Sequence, residues 1–382
     1  MRASVVARWA GPGCGALVCA ASLLGCPSSP SYDWDLPEGI PEPVVPAGNP
    51  MSAAKVELGR HLFFDERLSG NGTQSCGSCH EQARGFTDGR PVSAGSTGEL
   101  TPRNAMALAN VAYNGVQTWA NPALVTLEQQ ALAPIFGEHP VELGVTNREA
   151  EVVARFRSDP LLQPMFAEAF PGQADPVSMA NIVFAIASYE RSLLSFGSPY
   201  DRYFYGNDET ALSDSALRGM TFFFSERGEC FHCHGNFNFS GSVVHANAPN
   251  ATAEFQNNAL YNIDGRGGYP VGNRGLYEHT GMARDMGRFH PPSLRNITLT
   301  APYMHDGSIA TLDGVIDHYA AGGRTLTEGP NAGVGSESPL KSIFLHGFTL
   351  DPQERADLMA FLEALTDDAF LRNPRIQDPA LD

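Results

Sequence analysis

Two short stretches carry two thiols and an imidazole at one spacing: Cys76-Gly77-Ser78-Cys79-His80 and Cys230-Phe231-His232-Cys233-His234. Thiols three positions apart can form thioethers to the two vinyl groups on one porphyrin edge. The His that follows lies over the ring and offers the iron a nitrogen. Both stretches therefore read as attachment sites for c-type haem. A disulfide or half of a zinc site uses the same cysteine spacing, but zinc needs further ligands nearby, and the flanks contain no second CxxC and no HxxxH. With 11 His in the chain, chance places one after a given CxxC about 3% of the time, so two such motifs are a specific signal.

The elements around these motifs repeat weakly. Gly59-Arg60-His61-Leu62-Phe63-Phe64-Asp65-Glu66-Arg67 precedes the first motif, and Gly219-Met220-Thr221-Phe222-Phe223-Phe224-Ser225-Glu226-Arg227 precedes the second. Each puts an apolar, aromatic helix end just before a haem, which predicts two homologous haem domains, residues 51–197 and 198–370, followed by a tail at 371–382. Residues 52–64 have a helical pattern. Residues 147–170 and 176–196 carry apolar side chains at helical spacing, among them Ile182, Val183, Ile186, Tyr189 and Leu193. Thr146 with Glu149 fits a capping box. Residues 240–296 are rich in Gly and Asn without periodicity and read as a long loop near the haems. Asp351-Pro352 opens a last helix whose apolar face is Leu358, Phe361, Leu362 and Leu365. Few runs alternate like strands, so the expected fold is mainly α, with two cytochrome c-like domains packed around an inter-haem interface.

At 382 residues and a formal charge of −17, the surface repels nucleic acid and membrane phosphates and attracts basic partners. Arg2 and Arg8 followed by the apolar residues 16–24 read as an export signal. It ends in Leu23-Leu24-Gly25-Cys26, a pattern that fits lipidation of Cys26; the alternative is an ordinary signal cleaved near Ala21 or Gly25. After Cys26 the two motifs use every remaining cysteine, which leaves no structural disulfide and agrees with haem attachment outside the cytoplasm. Residues 27–50, with seven prolines, read as an extended tether in which Trp34 is a packing anchor. No stretch reaches the ~20 clean apolar residues of a spanning helix, so any membrane association runs through a lipid on Cys26.

These features, with Leu-Gly-x-x-Leu-Phe before the first motif and Pro302-Tyr303-Met304-His305-Asp306-Gly307, resemble the bacterial dihaem cytochrome c peroxidase superfamily. Within it the likeness is to the MauG-type branch, near the dihaem enzymes of methanobactin systems. The resemblance implies an N-terminal haem that reacts with hydrogen peroxide and a C-terminal haem that handles electrons. In reductively activated members a distal His blocks the first iron; the matching residues 93–103 contain no His or Met, which implies an open site. His139 is a substitute to consider, but it stands in Glu138-His139-Pro140-Val141-Glu142, where the family pattern makes Glu142 the acid/base of peroxide cleavage, moving a proton between the two oxygens. Gln130 matches a pocket glutamine that hydrogen-bonds the bound oxygen.

The family's sixth ligand to the second haem lies about fourteen residues beyond the His of Tyr-x-His-Asp-Gly, as Met in ordinary peroxidases and as Tyr in the MauG branch. From His305 that count reaches Tyr319. A phenolate is hard and favours oxidised iron, whereas Met sulfur raises the potential. Tyr319 as a core aromatic, or His318 or Met304 as ligand, are the alternatives. Trp119 matches the indole that the family places between its haems, against a core-packing alternative. Asn104, with main-chain oxygens of Thr300 and Pro302, matches a bridging calcium site. The resemblance thus implies a peroxide-dependent oxidoreductase that oxidises a Trp or Tyr of a partner protein. Its alternatives are a detoxifying peroxidase fed by a small exported cytochrome or copper protein, and a non-catalytic electron carrier, against which the open first iron argues.

Overall fold

In the computed structural model, which describes residues 32–250 and 252–381, the chain is mainly helical. The helices are α1 Ala53–Phe64, α2 Leu127–Phe136, α3 Glu149–Arg157, α4 Leu162–Ala169, α5 Met179–Arg191, α6 Pro199–Phe204, α7 Asp214–Phe223, α8 Phe231–His234, α9 Tyr277–Thr280, α10 Leu312–Ala320, α11 Pro352–Glu363 and α12 Asp368–Leu371. Strand structure is confined to two antiparallel pairs. β1 (Gln256–Asn257) meets β2 (Arg288–Phe289) with Gln256 opposite Phe289, and β3 (Thr325–Leu326) meets β4 (Gly333–Val334) with Thr325 opposite Val334. The expected export signal and the Cys26 lipid site lie outside the described residues. No helix among them is long and apolar enough to cross a membrane.

The internal repeat has a packing cause. α1 starts where the Ser52 hydroxyl accepts the Lys55 amide at 3.2 Å and crosses α5 at Gly59, where an added Cβ would lie 2.0 Å from the Ala185 carbonyl oxygen. α7 starts on the Ser213 hydroxyl and crosses α11 at Gly219, where a Cβ would lie 1.9 Å from the Asp357 carbonyl oxygen. The glycine that opens each repeat is thus the point where two helix backbones touch, and a side chain there would force them apart. Around the first crossing Leu58, Phe63, Phe156, Phe166, Ile182 and Tyr189 form one core. Around the second, Tyr200, Phe223, Phe239, Ile316, Phe361 and Leu365 form another. A smaller cluster of Ala120, Leu260, Tyr261, Tyr269 and Phe289, with Trp119 and Met304 packed against it, is separate from both. At the second core Arg295 and Asp201, essentially inaccessible to solvent at 0% and 1%, form a two-pronged ion pair at 2.8 and 2.9 Å.

Several local expectations change. Residues 147–170 form two helices, because Asp159 turns the chain by accepting the amides of Leu161 and Leu162 at 2.8 and 3.2 Å. The Thr146–Glu149 capping box does not form: the Thr146 hydroxyl donates to the Phe136 carbonyl, and α3 begins after Arg148 with no side-chain cap. By contrast Asp351 and Glu354 make the full box at α11.

The proline-rich segment lacks helix and strand over residues 34–50, but it is not a free tether. Trp34, Ile40 and Asn49 are buried, and its carbonyls at Pro41 and Glu42 accept from the Tyr113 hydroxyl and the Ala246 amide. Proline removes backbone donors and leaves the acceptors, so docking by carbonyls remains available. The expected tail also docks: Ile376 is buried in the first core, and its carbonyl accepts the Tyr189 hydroxyl at 2.6 Å. Residues 240–296, expected as one long loop, instead carry β1, α9 and β2, and side-chain amides pin them: Asn257 donates to Met286 O at 2.8 Å and Asn262 to Val334 O at 2.9 Å.

Candidate active site

Each pentapeptide motif ends on a histidine whose Nδ1 donates to a nearby backbone carbonyl: His80 to Phe86 and His234 to Phe239, both at 2.8 Å. The two accepting residues share an unusual backbone. Phe86 and Phe239 have φ of 63° and 51°, the left-handed region that bulky residues avoid, and both are fully buried. With Nδ1 engaged in this way, Nε2 is the ring nitrogen left to serve as a ligand. The four cysteines are free. Burial pushes Cys230 and Cys233 up to about 12 and Cys76 and Cys79 upward as well, so these are neutral thiols rather than reactive thiolates. Two such sets fit two covalently attached haems.

A cavity of about 270 Å³ is lined by Cys76, Cys79 and His80 together with Trp119, Gln130 and Glu142. Its shape comes from a loop that doubles back on α2. The amides of Leu143 and Val145 donate to the carbonyls of Pro134 and Ile135 at 2.9 and 3.0 Å, and Gly95 lies so close to Val141 that a Cβ would stand 1.9 Å from its oxygen. This brings Glu142 onto the same cavity as Gln130. Burial raises the Glu142 pKa, which favours the neutral acid. His139 is exposed and does not line the cavity. Met106, which the sequence reading did not weigh, does line it, with its backbone carbonyl turned to the His80 ring.

A second cavity of about 500 Å³ is lined by Cys230, Cys233 and His234 together with Trp119, Met304 and Tyr319. His318 is excluded as a lining residue, since its Nε2 donates to the Asn258 carbonyl at 2.8 Å. Asn258 is a residue that sequence reasoning missed. Its side-chain amide donates to the Met304 sulfur at 3.2 Å and also hydrogen-bonds Tyr319. Its place in the long loop carries no periodic signal that would have singled it out. Burial pushes the Tyr319 phenol above its ordinary pKa, so a nearby cation is required to draw off its proton.

Trp119 lines both cavities. Its indole N–H donates to the Asn104 carbonyl at 2.8 Å, and the Asn104 amide donates to the His305 carbonyl at 2.9 Å. The calcium candidates are near in chain to this strand of peptides: the Asn104 side-chain N–H donates to Arg90 O at 2.6 Å.

Known proteins resemble this chain in sequence and in fold. The family described as di-haem cytochrome c peroxidase matches residues 53–209. The methylamine utilization protein MauG of Methylorubrum extorquens is 32% identical over 86% of this chain and 82% of its own. Cytochrome c551 peroxidase of Pseudomonas aeruginosa is 31% identical over 90% of this chain and 86% of its own. The crystal structure of a MauG-like protein associated with microbial copper homeostasis superimposes with a TM-score of 0.89 at 52% identity, covering 92% of this chain and 100% of that one. The two CxxCH motifs, the paired cavities and these relatives together identify the chain as a member of the bacterial dihaem cytochrome c peroxidase and MauG superfamily, a family of haem oxidoreductases.

Proposed function

We propose that this protein is a hydrogen-peroxide-dependent dihaem oxidoreductase of the exported compartment that draws electrons from a Trp or Tyr side chain of a small partner protein. The observation that carries this reading is Tyr319 in the lining of the cavity that holds Cys230, Cys233 and His234, since a phenolate favours the oxidised metal over the ferrous state. When bound, the two haems supply peroxide cleavage and storage of oxidising equivalents. The chain's own residues do the rest. His80 and His234 would hold the irons through Nε2, and Tyr319 would join His234 at the C-terminal one. Glu142, whose pKa burial raises, would take a proton from one peroxide oxygen and give it to the other, and the Gln130 amide would hydrogen-bond the peroxide. Trp119, which borders both cavities, shares the oxidation between them.

A calcium ion at Asn104, Thr300 and Pro302 fits the same reading. The Asn104 side-chain oxygen and the carbonyls of Thr300 and Pro302 accept no hydrogen bond among the described residues, which suits a hard cation. The −17 formal charge favours a partner with a basic docking face, and the 52%-identical relative's association with copper homeostasis supports a copper-handling one. A lipid on Cys26 would tether the protein at the membrane. The second reading, detoxification with electrons from a small cytochrome or copper protein, is favoured by Met304, a thioether lining the same cavity as Tyr319.

The test adds stoichiometric peroxide to the fully ferric holoprotein without reductant and follows both haems by low-temperature electron paramagnetic resonance. The proposal expects both ferric signals to fall together. Reactivity that appears only after one haem is reduced would replace it with the second reading.

A further inference from the structure

The peroxide cavity has another carboxylate on its wall, and nothing described so far uses it. Glu190 stands one turn after Ile186 on α5, and both line the cavity with Gln130 and Glu142. It is only 7% exposed. Its carboxyl makes no hydrogen bond and no ion pair among the described residues, and its Oε2 is wholly buried.

The cations around it are committed elsewhere. Arg191, next to it on α5, donates through Nη2 to Glu128 Oε1 of α2 at 2.8 Å. Lys55 of α1 donates to Asn49 Oδ1 at 3.1 Å and to the Pro50 carbonyl at 2.8 Å. The other charged or titratable groups around it or on the same cavity are Glu128, Cys76, Cys79, His80, Glu142, Tyr189 and Arg103. Arg103, the one further cation among them, is ion-paired to Glu278 Oε2 at 2.6 Å. A buried carboxylate without a cation or hydrogen bond costs several kcal/mol, so the group stays a neutral acid.

We propose that Glu190 is a second proton donor of the peroxide cavity: Glu142 moves a proton between the two peroxide oxygens so that the first water leaves, and Glu190 delivers one of the two further protons consumed when the remaining oxygen is reduced to the second water. The net step is H2O2 + 2H⁺ + 2e⁻ → 2H2O, with the two electrons drawn from the partner protein. One proton leaves the Glu190 carboxyl, and the carboxylate so formed recovers a proton from solvent between turnovers. The inference rests on the N-terminal cavity being the peroxide site. Desolvation, only partly offset by Arg191, raises Glu190 to about 8. The donor form therefore prevails at neutral pH and is lost as pH rises through that value.

The experiment compares wild-type holoprotein with E190Q, E190D and E142Q. Infrared spectra across pH 6 to 10 (roughly two pH units either side of the midpoint, enough to span a titration) read the carboxylic C=O stretch independently of activity. Stopped-flow reads peroxide cleavage and then the return to the resting spectrum that completes each turnover. The expected results are a protonated-carboxyl band that disappears in E190Q, and a return step slowed about 10²-fold that no longer falls on the alkaline side, with partial recovery in E190D. A wild-type spectrum without that band at neutral pH overturns the proposal, as does an E190Q return rate and pH profile equal to wild type while E142Q is slow in cleavage. If neither E190Q nor E142Q alters either step, the peroxide site itself is wrongly placed and the Glu190 role falls with it. Should E190Q fail to fold, the wild-type band and its titration, together with E190D, decide the question.

Discussion

Trp119 donates its indole N–H to the backbone carbonyl of Asn104 at 2.8 Å, so the hydrogen bond that orients the ring bordering both cavities goes to main chain and not to another side chain. The same Asn104 peptide reaches the His305 carbonyl, which links the N-terminal loop to the segment bearing Met304. Replacing Trp119 with Phe keeps an aromatic wall but removes the donor and the readily oxidised indole. The expected outcome is a stability loss of about 1 kcal/mol and peroxide consumption at the first haem without the matching change at the second. Electron paramagnetic resonance after peroxide addition separates the two haems.

Glu142→Gln keeps the volume of the side chain and removes its exchangeable proton. The peroxide step should slow by about 10²- to 10⁴-fold, while the optical spectrum of the resting protein stays the same. A stopped-flow trace equal to wild type would remove Glu142 from the proton path.

Tyr319→Phe should change the visible and paramagnetic spectra of the second haem and abolish its share in the oxidation. Asn258→Ala should produce a smaller spectral change, because it removes the amide shared by Tyr319 and Met304 but leaves the phenol. An unchanged spectrum in Tyr319→Phe would point to Met304, whose own replacement then has to produce the change.

Gly59→Ala and Gly219→Ala each insert a methyl into a helix crossing where only about 2 Å separates it from a backbone oxygen. Each should destabilise the protein by about 1–3 kcal/mol or more, with the loss following the core that is disturbed. Denaturant unfolding monitored at each haem distinguishes the two.

Asp201→Asn should cost about 3–5 kcal/mol, because it strands the buried Arg295 charge. Replacing both partners with apolar residues of similar size should recover much of that loss. Thermal unfolding of the single and double variants measures both.

Much of the site was legible in the chain because it is written at short range. The CxxCH spacing, the Asp351–Glu354 cap and the apolar face of α11 depend on residues a few positions apart, where covalent geometry and helical period dictate who meets whom. Thr146 failed as a cap for an equally local reason: its hydroxyl found the Phe136 carbonyl first. Composition misled over residues 34–50, where many prolines suggested a loose tether and the buried Trp34, Ile40 and Asn49 hold the segment down.

The sequence by itself determined the two CxxCH motifs, the mainly helical architecture and the weak repeat, and through family resemblance the roles expected of Glu142, Trp119 and Tyr319. Only the tertiary structure decided which side chains share a cavity. It put Glu190 of α5 on the same cavity as Gln130 of α2, made Asn258 the neighbour of Met304 and Tyr319, and turned His318 away. The physical reason is distance along the chain. Burial and the lack of a partner are properties of a packed environment, and residues more than forty positions apart acquire them together only when the segments that carry them close around a common space.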